Sequence, residues 1–224
     1  MTEPKRKPGP RRALTEREIL DAALALLDAG GPEAASIRRI AAAVGVAPNA
    51  VYTYFADKAA VERALVESLL EGCDGVVGRD PEAGWRAEVE ALALELRRRL
   101  VAHPGAVPLM LGGPMDGPHA LRLGERLLDL LAAGGLATPV AARGAYLLIV
   151  YVLGAIALEV ADVPQAGALP PEEERIAARR AAFGEVPAEA FPRTAAATGV
   201  MATWVGTEQF RWGLDRVLDG LVAG

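Results

Sequence analysis

The 224-residue chain contains one cysteine and two histidines. A lone Cys73 closes no internal disulfide, which excludes a secreted cystine scaffold and points to a reducing cytoplasm, with Cys73 as a small buried apolar residue. The start, Met1 to Arg12, is basic and has no apolar core behind its charges, so no signal peptide is expected. The longest uncharged apolar run, Gly144 to Leu158, falls short of the roughly 20 residues of a membrane-spanning helix and is expected to be a buried helix, with no membrane as partner. No segment of strand length alternates apolar and polar residues between turn signals. The 24 glycines and 16 prolines lack the three-residue period of a collagen. Reactive groups are equally sparse: Cys73, His103, Asp116 and His119 sit on separate segments, with no glycine-rich phosphate loop and no spaced Cys/His set. An enzyme, a cofactor and a bound metal are therefore not expected.

What is present is a globular composition, 52% hydrophobic and 24% charged, in a length that fits one domain plus a small module. Charge is unevenly placed. Residues 1–60 hold nine Lys or Arg against seven Asp or Glu, and since the net charge is −5 the remainder stands at −7. A basic leading part on an acidic body suits a protein that offers one end to a polyanion.

Helical periodicity recurs along the whole chain, so the expected fold is all-α. Thr15-Glu-Arg-Glu18 is a capping box that opens a helix whose Ile19, Leu20, Ala23, Leu24, Leu26 and Leu27 share one side; Gly30-Gly31-Pro32 stops it. Ser36 caps a second helix to Val44, ended by Gly45. Pro48 opens a third, to about Phe55, and Lys58 to about Cys73 forms a fourth. Beyond residue 80, longer helices are expected at Trp85–Val101, Gly117–Ala133, Pro139–Ala161, Pro171–Phe183 and Thr207–Val222. The breaker-rich stretch from His103 to Met115 is expected to be a packed irregular segment with at most one short helical turn, lining a cavity. Gly184 to Thr203 is expected to be partly helical at best and mobile.

Ser36 to Lys58 reads as two short helices about a glycine turn, a helix-turn-helix pattern. Ala41 lets the helices approach and Val46 and Val51 turn inward, while Asn49, Ala50 and Thr53 face outward. At about 1.5 Å per residue, Pro48 to Phe55 spans about 12 Å, the width of a DNA major groove. In that groove Asn49 can pair with an adenine edge, Thr53 with a base or a thymine methyl, and Arg38 with guanine. Ser36, Tyr52, Tyr54 and Lys58 suit phosphate contacts that set register. Any αα corner shares this spacing; the outward polar residues are what favour DNA. Lys5, Arg6, Lys7, Arg11 and Arg12 either add contacts to the duplex or form a free tail.

Three pieces in order, Leu14-Thr-x-x-x-Ile19-Leu-x-Ala-Ala23, Ser36-x-Arg-x-Ile-Ala41-x-x-x-Gly-Val46 and Ala50-Val-Tyr-x-Tyr-Phe-x-x-Lys58, resemble the TetR/AcrR family of bacterial transcriptional repressors over residues 13–70. Ala47 departs from that family, standing where a Ser or Thr cap is usual; the missing cap costs about 1 kcal/mol locally, partly offset by Pro48. Farther on, Tyr151-Val-Leu-Gly-Ala-Ile-Ala-Leu-Glu159 and Phe210-Arg-Trp-Gly-Leu-Asp-Arg-Val-Leu-Asp-Gly-Leu221 resemble the C-terminal half of tetracycline-repressor-like members. The resemblance implies a basic flexible tail at 1–12, a helix-turn-helix domain at 13–58, a linking helix at 59–78 and an effector-binding and dimerisation domain at 79–224. It also implies a homodimer joined through helices near 138–161 and 206–223, a palindromic double-stranded DNA operator, and repression relieved by a small molecule.

Met110 stands where the tetracycline repressors place a histidine that anchors drug-borne magnesium. A thioether does not hold Mg²⁺, so an apolar or aromatic effector is expected instead. Candidate pocket residues are Met110, Met115, Leu123, Leu127, Tyr146 and Ile149, a set that an ordinary core would use equally well. A DNA-binding dimer with no effector is the alternative.

Overall fold

A computed structural model of the chain describes residues 14–78, 82–113, 115–161 and 167–222. Helices α1 (Glu16–Gly30), α2 (Ile37–Ala43), α3 (Pro48–Tyr52) and α4 (Lys58–Leu70) come first. They are followed by α5 (Trp85–Ala102), α6 (Val107–Gly112), α7 (Pro118–Ala133), α8 (Thr138–Ala161), α9 (Glu172–Gly184), α10 (Pro192–Met201) and α11 (Thr207–Val222). There is no strand among the described residues. The basic stretch 1–12 lies outside them.

Local signals set the first helices. The amide of Glu18 donates to Thr15 Oγ1 at 3.2 Å while the Thr15 amide donates to Glu18 Oε2 at 2.9 Å, the reciprocal pair that the capping box requires. Helix α1 then buries Ile19, Ala23 and Leu27, spaced four apart on one face, and burial of each large aliphatic side chain contributes about 2 kcal/mol. Ser36 caps α2 by accepting from the Arg39 amide at 3.4 Å. Gly45, at φ +73°, turns the chain in the left-handed region that a side chain resists. Ala47 gives α3 no side-chain cap, and Pro48 opens it. Asp57, which carries no mark in the sequence pattern, caps α4 by accepting from the Ala60 amide at 2.7 Å.

Two proline-bearing stretches contain helix, the first more than expected and the second in the partial measure expected. His103 to Met115 contains a 3-10 turn at Pro104–Ala106 and the helix α6, and the stretch from Gly184 to Thr203 contains the ten-residue α10. Pro104, Pro108 and Pro192 each sit in the first turn of a helix, where the missing amide leaves nothing unpaired. The supposed breakers are starts. Helix α4, by contrast, stops at Leu70 instead of reaching Cys73, which begins a 3-10 turn and is fully buried.

The second half is built around α8, packed against α5, α7 and α11. Its buried positions Ala141, Gly144, Leu148, Val152, Ile156 and Glu159 recur every three or four residues on one side. The opposite side exposes Tyr146, Leu147, Ile149, Val150 and Leu158, so the helix expected to be buried is covered on one face only. At 24 residues α8 is also longer than the uncharged run within it, long and apolar enough in itself to cross a bilayer. One side of it packs into the core, where its buried Glu159 is ion-paired to Arg97 of α5 and Arg175 of α9, each at 2.7 Å. Arg97 also donates to Glu172 at 2.9 Å and to Thr207 Oγ1 at 2.7 Å, so one guanidinium ties four helices together. Burial pushes the Glu172 carboxyl upward, but hydrogen bonds from Thr207 and the Arg97 charge more than reverse it, and its pKa is lowered.

Candidate functional site

Helix α3 packs on α2 through the fully buried Val51, which turns its other side outward. Pro48, Asn49 and Thr53 are exposed, Ala50 is half-buried, and Tyr52 is 51% exposed. Arg38 and Arg39 stand exposed on α2 beside them. The side chains of Arg38, Asn49 and Tyr52 have no hydrogen-bond or ion-pair partner among the described residues, which leaves their donors and acceptors available to a ligand.

The other sequence candidates have partners within the chain. The Ser36 hydroxyl is the α2 cap. Thr53 donates to the Asn49 carbonyl at 3.3 Å. Tyr54 donates its hydroxyl to the Leu14 carbonyl, which closes α1 onto the end of α3. Lys58 donates to the Pro32 carbonyl at 3.4 Å and pairs with Glu62 at 3.2 Å. Helix α3 itself ends at Tyr52, not near Phe55, and so rises only about 7.5 Å. The chain leaves the helix because Tyr54 is drawn to Leu14 and Phe55 is buried in the core.

The second feature is a cavity of about 380 Å³ among α5, α7, α8 and the Leu214 side of α11. Met115, Leu123, Leu127 and Ile149 of the expected set line it, together with Leu92, Leu96, Leu128, Val152 and Leu153. Among the described residues Glu125 is the only ionisable one in the lining. The exposed Leu121 and Ile149 mark where the cavity reaches the surface. A volume of this size with near-uniform apolar walls fits a small apolar molecule.

Met110 and Tyr146 are not part of the lining. Met110 is buried in α6, 2% exposed, in the contact of that helix with α8 and α4. Tyr146, 70% exposed, precedes Leu148 by two residues, or about 200° of helical rotation, and so stands on the far side of α8. The α5 residues of the wall were missed because an apolar helix face carries no mark separating core from cavity. Among the described residues no three His, Cys, Asp or Glu side chains gather into a metal site.

The two features meet along α1 and α4. His103 Nδ1 lies 2.8 Å from Asp28 Oδ2, and Asp28 also accepts from the Gly105 amide at 3.2 Å, which fastens the end of α1 to the turn before α6. At the far end of α4, Arg99 donates to the carbonyls of Leu69 at 3.0 Å and Glu71 at 2.6 Å. Glu95 orients Arg99 through a 2.7 Å bond, and its own pKa is lowered to about 2, chiefly by the hydrogen bond from Arg98 and, against burial, by Arg99.

Comparison with known proteins fits both halves. Residues 19–65 match the family model for bacterial regulatory proteins of the tetR family, and residues 77–224 match that for the tetracyclin repressor-like C-terminal domain. The HTH-type transcriptional repressor DrrR1 of Streptomyces coeruleorubidus is 29% identical over 147 residues, which are 66% of this chain and 54% of that protein. The chain thus spans about half the length of that relative. A crystal structure of a possible TetR family transcriptional regulator from Streptomyces coelicolor A3(2) superposes with a TM-score of 0.79 at 30% identity, covering 93% of this chain and 99% of that one. The Streptomyces coelicolor TetR family protein ActR, solved in complex with actinorhodin, gives 0.74 at 25% identity over 94% and 96% of the two chains. With helices, order and both halves in agreement, the chain belongs to the tetR family of bacterial regulatory proteins and carries that family's helix-turn-helix in front of a tetracycline-repressor-like C-terminal domain.

Proposed function

We propose that the protein is a homodimeric transcriptional repressor that binds a pseudo-palindromic operator through α3 and is released when a small apolar or aromatic molecule enters the α5–α7–α8 cavity. The observation that carries the DNA-binding part is the unpartnered set formed by Asn49 and Tyr52, turned outward on α3 by the buried Val51, and Arg38, exposed beside them on α2. Polar side chains left without partners on a short exposed helix are matched to base edges and phosphates. Asn49 and Arg38 read bases. Thr53 meets a base or a thymine methyl, and Ser36, Tyr52, Tyr54 and Lys58, around Pro48 and Ala50, set register on the backbone, with Tyr54 and Lys58 also bracing the reader.

Two relatives support the finer reading by what their names state: one is a repressor and the other was solved with actinorhodin. The apolar face of α8, with Tyr146 and Leu158 both about 70% exposed, supplies the dimer seam together with the exposed Trp212 of α11. Selecting bound sites from random duplex DNA tests the assignment. A twofold-related pair of short half-sites is expected, and no enrichment of any sequence at low salt would sink it.

A further inference from the structure

Helix α7 opens at Pro118 with Gly117 as its N-cap, and a glycine brings no side-chain acceptor to the orphan amides of a helix start. Those amides are taken by a residue of another helix. Glu67 of α4 accepts from the His119 amide through Oε2 at 2.7 Å and from the Ala120 amide through Oε1 at 3.1 Å. These are the second and third amides of α7, the ones an Asp or Ser cap satisfies from within its own helix. The carboxylate also meets the positive end of the α7 dipole, so the two bonds are charge-assisted. Gly117 is part of the device, since a Cβ there would stand 2.3 Å from the Glu67 carboxyl carbon.

Each partner leads to one half of the function. Ala120, whose amide Glu67 holds, is itself in the cavity wall, followed on the same helix by Leu123 and Leu127. Helix α4 begins at Lys58, directly after the turn that follows α3. If α7 shifts to admit an occupant, either both bonds break or α4 moves with it.

We propose that Glu67 is the positioning residue that couples cavity to reader: by holding the N-terminus of α7 it transmits occupancy of the cavity to α4 and so to α3. This rests on the cavity being the effector site and α3 the reader. The coupling is a property of the pair, not of the cap alone, and the test separates the two.

The experiment uses the whole chain and N-phenyl-1-naphthylamine, a neutral fluorophore that brightens in apolar sites, as the cavity probe. Amide hydrogen exchange is followed over residues 58–70 and 118–133, with and without probe, in the wild type, in Glu67→Ala and in the double variant Glu67→Ala with Gly117→Ser. At ten times its Kd the probe is expected to slow exchange in both helices of the wild type, by up to about tenfold for amides that exchange from the empty protein. In Glu67→Ala the α7 response is expected to persist and the α4 response to vanish. The introduced serine restores a cap within α7, in space the missing carboxyl has vacated, so the double variant regains thermal midpoint but not the α4 response. An α4 response that survives in Glu67→Ala, returns in the double variant or is lacking in the wild type overturns the coupling. Failure of the probe to brighten with wild-type protein overturns the cavity assignment, and the coupling with it.

Discussion

The reader and the cavity half are both helical, yet their order comes from different distances along the chain. From Thr15 to Asp57 three of the four helix starts are capped within three residues, Glu18 to Thr15, Arg39 to Ser36 and Ala60 to Asp57, and the fourth, α3, opens on its own Pro48. In the second half polar links of the interior span 62 residues between Arg97 and Glu159 and 110 between Arg97 and Thr207. Locally determined elements can be small and present polar side chains outward, because they need few long-range contacts. Elements held from afar can enclose a void, because the frame around it is fastened elsewhere.

That contrast can be broken by mutation. Glu159→Ala would leave Arg97 and Arg175 buried without their shared carboxylate and is expected to destabilise the fold by about 3–5 kcal/mol, read from urea unfolding followed by circular dichroism. A loss near that of an ordinary helix cap, about 1 kcal/mol, would show that the far links matter no more than the near ones. Val150→Glu places a charge on the α8 face proposed as the dimer seam and should weaken self-association by about 2 kcal/mol, or roughly 30-fold, measured by sedimentation; an unchanged dimer would move the interface elsewhere.

On the reader, Asn49→Ala should cost about 1–3 kcal/mol of operator affinity at particular base pairs while leaving the thermal midpoint unmoved, as followed by fluorescence anisotropy on a set of point-substituted duplexes. Uniform loss on every duplex would instead make Asn49 a backbone contact. The smallest effect concerns the junction. Glu95 titrates at about 2 in the folded chain against a usual 4.5, so its contribution is complete above about 4.5 and is lost as pH falls toward 2. Glu95→Gln should flatten that part of the acid-unfolding curve, and an identical curve would remove Glu95 as a stabilising group.

Sequence reading did best where the determinants are near neighbours. The starts at Thr15 and Ser36 and the turn at Gly45 were legible because cap and helix adjoin. The early end of α3 was not, since Leu14, which receives the Tyr54 hydroxyl, lies 40 residues away. Four of the six pocket candidates line the cavity and Met110 and Tyr146 stand elsewhere, because an apolar side chain looks the same in core, cavity or on an open helix face. The Arg97 cluster left no trace in sequence, as its members sit on separate helices and each alone resembles an ordinary surface charge. Prolines misled in the other direction: Pro104, Pro108 and Pro192 begin helices.

With α3 barely a turn and a half long, that helix by itself runs along only two or three steps of the duplex ladder, at about 3.4 Å each. A word that short recurs by chance throughout any genome. In the proposed dimer, discrimination is assembled from repetition and from how readily the intervening duplex bends or twists to bring two such words into phase, so the spacing between them is as much a part of the message as the letters.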